Sequence, residues 1–181
     1  VMTLGYAVPG TVLAIGVLLP LGAMDNWIAA WMREVTGRPV GLLLTGTLVA
    51  LLYAYVVRYF AVAWNAIEPG FARITPAMDA AARSLGAGVL GTLMRVHAPL
   101  LVRSGAAALL LVFVDVMKEL PATLILRPFN FDTLAVKAYS YASDERLLEA
   151  AAPALLIFLA GLAPIIILAR SIERGRAGVS S

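Results

Sequence analysis

The sequence predicts an all-α fold: a polytopic bundle of about four transmembrane helices with one helix hairpin outside the bilayer. Three observations predict it. Hydrophobic residues make up 61% of the 181, and mean hydropathy is +0.90, where soluble domains are roughly half apolar. The apolar residues gather into stretches near the ~20-residue length that a bilayer requires. The longest polar interruption, residues 73–99, is patterned as a helix-turn-helix.

Composition also excludes. There is no cysteine, hence no disulfide framework and no cysteine-based metal site or nucleophile. The one histidine, His97, excludes a multi-histidine metal site. No glycine-rich phosphate loop and no Ser/His/Asp or paired-carboxylate constellation is present, so no catalytic residue, metal site or cofactor is assigned. The net charge of +3 reads as loop bias in a membrane protein, not as nucleic-acid binding. Val1-Met2-Thr3 carries no charged leader region, so a signal peptide is not expected.

In chain order, Leu4–Ala23 is the first expected span. Pro9-Gly10 is read as a break within it, with Pro20 a second, and Gly5, Gly10 and Gly16 allow close helix approach. Asp25–Pro39 is expected as a polar loop, with Trp27 and Trp31 as interfacial anchors. Val40 to about Val62 is the second span. Arg58, placed near its end, is expected to snorkel to headgroups. Glu68-Pro69-Gly70 then turns the chain.

The hairpin follows. Thr75 is the expected N-cap, Pro76 sits at the first helical position, and Asp79 favours the positive end of the helix dipole. Ala80-Ala81-Ala82 makes a slim, strongly helical rod. Gly86 stands where a left-handed C-terminal cap is expected. A second helix from about Val89 places Val89, Leu90, Leu93, Val96 and Leu100 on one face, and Pro99 marks its end or a kink.

The third span runs to Met117 and ends in Asp115-Val116-Met117-Lys118-Glu119-Leu120-Pro121. On helical spacing Asp115, Lys118 and Glu119 share a face at its outer end. They read as a helix-end ion pair or as a polar lining of a substrate path, since unpaired burial is costly. Residues 127–133 read as a turn, with a short helix starting at Asp132 or Thr133. Leu147–Ala169 is the fourth span, kinked by Pro153 and Pro164, before a frayed polar tail.

Charge sets the orientation. Arg58, Arg73, Arg83, Arg95 and Arg103 outweigh Glu68 and Asp79, and Arg170, Arg174 and Arg176 outweigh Glu173. The positive-inside rule places the hairpin and the C-terminus in the cytoplasm and residues 118–149 outside.

The order Ala81-Ala82, three residues, Gly86, nine residues, Val96, one residue, Ala98, Pro99 resembles the "EAA" loop of permease subunits of binding-protein-dependent ABC importers. Ala81, Ala82, Gly86, Val96 and Pro99 match. The usual glutamate falls on Ala80, with Asp79 one residue earlier available to substitute, and the leucine before the proline is Ala98. A second block, from Asp115 through Lys118, Glu119, Pro121, Thr123, Arg127, Pro128, Phe129, Phe131, Asp132 and Thr133 to Ala135, resembles the ferric-iron permeases of the Fbp/Sfu type.

The resemblance implies a type I importer permease fold in the bacterial inner membrane. It implies a hairpin (73–99) that docks on a dimeric cytoplasmic ATP-binding subunit, a periplasmic substrate-binding protein, and a second permease half, fused or paired. ATP would be used by the partner subunit. Asp79, Ala81, Ala82, Gly86, Val96 and Pro99 would serve coupling; Asp115, Lys118, Glu119 and Arg127 would serve the path or the binding-protein contact. Ferric iron is the expected substrate, with thiamine, polyamine or sulfate as alternatives. The family core has one more N-terminal span, so a C-terminal fragment of a fused permease is expected. The rivals from other classes are an ion-coupled secondary transporter and a non-transporting membrane scaffold.

Overall fold

The computed structural model describes residues 7–39 and 41–177. Val1-Met2-Thr3, Gly5, Val40 and the last four residues lie outside the described residues, as do the side chains of Arg170, Glu173, Arg174 and Arg176. The described residues are helical, without strands. The elements are α1 (Gly10–Thr36), α2 (Leu48–Phe71), α3 (Pro76–Ser84), α4 (Val89–Thr92), a π-helical turn (Leu93–His97), α5 (Ala98–Met117), α6 (Pro121–Leu126), α7 (Leu134–Ser143) and α8 (Leu147–Ala177). Among the described residues four helical stretches are long and apolar enough to cross a membrane: Gly10–Thr36, Leu48–Phe71, Val89–Met117 and Leu147–Ile167. The polytopic helix bundle is therefore the architecture of this chain.

Helix α1 departs from its expected C-terminal bound, while the expected start at Leu4 lies outside the described residues. Pro9 is its N-cap residue (φ −54°, ψ 138°), so the break expected at Pro9-Gly10 falls at its start, after a helical Ala7 and a bend at Val8. The helix also runs through the expected polar loop to Thr36, closing on a left-handed Gly37 (φ +68°). Asp25 explains how a carboxylate sits inside it. Only 1% exposed, it accepts the backbone N–H groups of Leu43, Leu44 and Thr45 at 2.7–2.9 Å and the Thr45 hydroxyl at 2.6 Å. This carboxylate satisfies the donors of the turn ahead of α2, which Thr47 then caps through Val49 N–H. Trp27 and Trp31 stay exposed on α1.

Helix α2 continues through Glu68-Pro69-Gly70, where a turn was expected. It packs lengthwise on α5, and Gly70 makes that crossing: a Cβ there would lie 2.6 Å from Ser104 Oγ. Close approach and continued packing keep the last turn of α2 helical past its proline. The buried core is Leu13, Ala14 and Val17 of α1, Ala50, Leu51 and Ala54 of α2, and Ala122 and Leu126 of α6. Helix α8 packs on α5 and α7. In the most apolar window of the Val89–Met117 stretch 6% of the residues are buried within the chain. Apolar surface on that scale belongs to a helix facing lipid or partner helices.

Candidate functional site

Two regions concentrate the chemistry, and they lie on different elements. The first is the hairpin. Pro76 occupies the first turn of α3 and Asp79 lies in that turn. Thr75 has extended backbone angles but makes no side-chain cap hydrogen bond; its carbonyl instead takes the Met78 N–H at 3.0 Å. The C-terminus closes as expected. Gly86 is left-handed (φ +78°), Gly86 N–H reaches Arg83 O and Ala87 N–H reaches Ala82 O, both at 2.9 Å. This is a Schellman cap.

On the return arm the first residues of the expected apolar face point away from the rest of the chain. Val89, Leu90 and Leu93 are exposed, and Thr92 is the buried residue. Pro99 neither ends the helix nor stands alone as a kink. Its ring has no N–H and crowds the carbonyl four residues back. The chain absorbs this with the π turn just before it, closed by Ala98 N–H on Leu93 O. Asp79 acquires an unforeseen partner: His97 Nε2 lies 2.6 Å from its Oδ1 and ties the two arms together. Of the other expected coupling residues, Ala82 is buried, Val96 half-buried, and Ala81, Gly86 and Pro99 exposed. A pocket of about 380 Å³ opens between the arms, lined by Asp79, Arg83, Val89, Thr92, Leu93 and His97 among others.

The second region is a break in a helix. Pro121 lacks the N–H and crowds the Met117 carbonyl, so α5 stops at Met117 and α6 starts afresh at Pro121. The three ionisable residues therefore do not share one face. Lys118 Nζ pairs with Asp115 Oδ1 at 2.8 Å, while Glu119 turns inward and is 6% exposed. Its Oε2 accepts the Tyr59 hydroxyl at 2.6 Å and faces Arg58 Nε at 3.0 Å. Its Oε1 accepts Ala122 N–H at 3.1 Å. The Tyr59 hydroxyl also lies 3.2 Å from Asp115 O. Arg58 Nη1 donates to Val8 O at 2.8 Å. Thr123 Oγ1 donates to Glu119 O and lies 2.5 Å from the Tyr55 hydroxyl. A Cβ on Gly10 would lie 2.9 Å from Glu119 Oε1 and 3.3 Å from Pro121 Cβ, so a side chain there would have to displace the carboxylate.

Arg58 thus does not snorkel. It lies ten residues after Leu48 and thirteen before Phe71, the ends of α2, about 15 and 20 Å along the axis at ~1.5 Å per residue. The Glu119 cluster sits at the same depth, midway along α2 rather than at the outer end of a span. Arg127, the remaining expected site residue, lies apart from it. It pairs with Asp132, which Lys137 Nζ also approaches at 3.1 Å, on a loop where Phe129 stands fully outward. Thr133 starts α7 as expected, accepting Val136 N–H at 3.3 Å. Among the described residues no group of three or more His, Asp or Glu side chains could hold a metal ion.

Sequence reasoning missed Arg58, Tyr59, Tyr55 and Gly10 as members of the cluster. The available signal was an ionisable residue within an apolar span, which by default marks a functional site.

Together these features define a class, a polytopic helical membrane protein with a capped hairpin and a discontinuous spanning helix. No protein-family model matches the chain. Within the class the chain resembles the Fe(3+)-transport system permease protein FbpB 2 of Haemophilus influenzae. The two are 27% identical over 122 residues, which is 67% of this chain and 24% of that protein's length.

Proposed function

We propose that this chain is the membrane-embedded permease part of an ATP-driven ABC importer, with ferric iron as its substrate. The observation that carries the proposal is the 122-residue similarity to a ferric-iron transport permease. The hairpin supports it. A stiff, Schellman-capped rod presents Leu85 and Val89, 87% and 92% exposed, and bare apolar side chains at a helix tip suit insertion into a partner's groove. In this reading, cytoplasmic ATPase subunits close on ATP and push the hairpin as a lever. The helix bundle, with a second permease half, then rocks between outward-open and inward-open states. A periplasmic binding protein delivers substrate on the side of residues 118–149, where Arg127, Asp132 and Phe129 are available for contact. Arginine excess at the hairpin and tail supports this inner-membrane orientation, with the C-terminus cytoplasmic.

The test is co-purification. Leu85→Asp/Val89→Asp changes only exposed side chains and should leave the helix content and thermal midpoint of the detergent-solubilised protein unchanged. The ATPase subunit should co-purify with wild type and be lost from the variant, together with ATP-dependent ferric uptake. Equal ATPase recovery from both would refute the docking assignment. The buried Arg58–Glu119 pair favours a second reading, an ion-coupled transporter. Uptake by proteoliposomes that needs an ion gradient and no ATP would select it.

A further inference from the structure

We infer that Glu119 is the latch of a mid-span gate whose moving part is α6. The inference rests on the transport reading and names the residues that hold its path shut. One carboxylate at the α5–α6 break gathers contacts from two other helices: Arg58 and Tyr59 from α2, and Ala122 N–H from α6. Arg58 extends the tie to the start of α1 through Val8 O. Glycine at position 10 lets α1 approach within contact of the same carboxylate.

The segment so held is small. Helix α6 has six residues, too few to be stable alone, and a break precedes it and a loop follows it. It is also tied by the Tyr55–Thr123 hydrogen bond and by Ala122 and Leu126, which pack in the core against α1 and α2. Non-helical backbone at this depth is tolerated where it is buried in protein or lines a water-filled cavity.

The pair is also built to release. Arg58 Nε is buried and faces Glu119 at 3.0 Å, yet makes no directed hydrogen bond. The two-pronged guanidinium–carboxylate geometry that would make the contact strongest is not used. One prong is spent on the Val8 carbonyl. Arg58 and Glu119 are positioning residues here: they set where α6 sits and when it leaves.

These 181 residues hold no cysteine, so Leu126→Cys places one reporter on α6, read against the same transporter without the substitution. In inner-membrane vesicles carrying the complete transporter, a membrane-impermeant maleimide reads water access to that position. The reporter should label slowly. Adding Glu119→Gln should raise the rate about tenfold or more, the scale of a hydrogen bond to a charged group. Adding Arg58→Met and Glu119→Leu together fills the site with apolar side chains. Labelling should stay slow and uptake should be lost, because the gate no longer opens.

Unchanged labelling in Glu119→Gln, or wild-type uptake in the Met/Leu double variant, would overturn the latch. If Glu119→Gln does not accumulate in the membrane, Tyr59→Phe decides, with an expected rise of about fivefold for one lost hydrogen bond; no rise overturns the latch. Labelling that responds as stated while uptake proves independent of ATP would keep the latch and remove the importer reading.

Discussion

The hairpin and the helix break each hold one acid against one base, and they do so in opposite surroundings. Asp79 and His97 meet at 2.6 Å with both side chains partly in solvent. Glu119 and Arg58 meet at 3.0 Å with Glu119 almost wholly enclosed. Water around the first pair can replace either partner, so the contact chooses between hairpin conformations and adds little stability. Nothing replaces a partner at the second, where removing one leaves an uncompensated charge. The shorter contact is thus the weaker one, and surroundings rather than distance rank the two.

That ranking can be broken by substitution. Glu119→Ala should be the most damaging change, costing about 3–5 kcal/mol by stranding Arg58; thermal unfolding in detergent would measure it, and a loss under 1 kcal/mol would erase the contrast. Next come the glycines that let helices touch. Gly70→Ala forces a methyl onto Ser104, where the Cβ would stand 2.6 Å from the hydroxyl, and should cost about 1–3 kcal/mol by overpacking. Gly86→Ala places a side chain at φ +78° in open space and should cost about 1 kcal/mol. Proteolysis of the hairpin, with the bundle unaffected, would report that change. Smallest is His97→Ala, at about 0–1 kcal/mol. Its sign should appear as looser hairpin arms in amide exchange, without a shift in the thermal midpoint of the bundle.

The same contrast separates what was legible in the sequence from what was not. Local chemistry was legible. Pro76 at a helix start, Gly86 at its close and Thr133 opening α7 act on atoms within a few residues, and the structure realises each. The Asp115–Lys118 pair is likewise an i,i+3 contact. The fold class followed from apolar stretches of bilayer length. What escaped depends on partners far along the chain. Asp25 read as a loop residue because its ligands lie 18–20 positions away. Glu119 reads as a neighbour of Lys118 on one helix because residue spacing alone does not carry Pro121's clash with the carbonyl four residues behind it. Arg58 read as a snorkelling residue because its partner is on another helix. Pro69-Gly70 read as a turn because the packing of Ser104 against the glycine is invisible to local propensity.

The π turn at Leu93–His97 has a rotational consequence. It spends one more residue on its turn than an α-helix would, and one residue corresponds to about 100° about the helix axis. Wound at ordinary α pitch, the same residues would point the hairpin about 100° away relative to the face that α5 turns toward α2, and the wide turn takes up that rotation. Deleting Met94 would restore ordinary pitch, keep every cap and ion-pair side chain, and leave the hairpin at its present azimuth, whereas deleting one residue from a regular α turn of the stalk would swing it by roughly that angle. A coupling device of this kind is keyed: it transmits force to a partner seated at one azimuth, and a single-residue change in length outside the wide turn detunes it without unfolding anything.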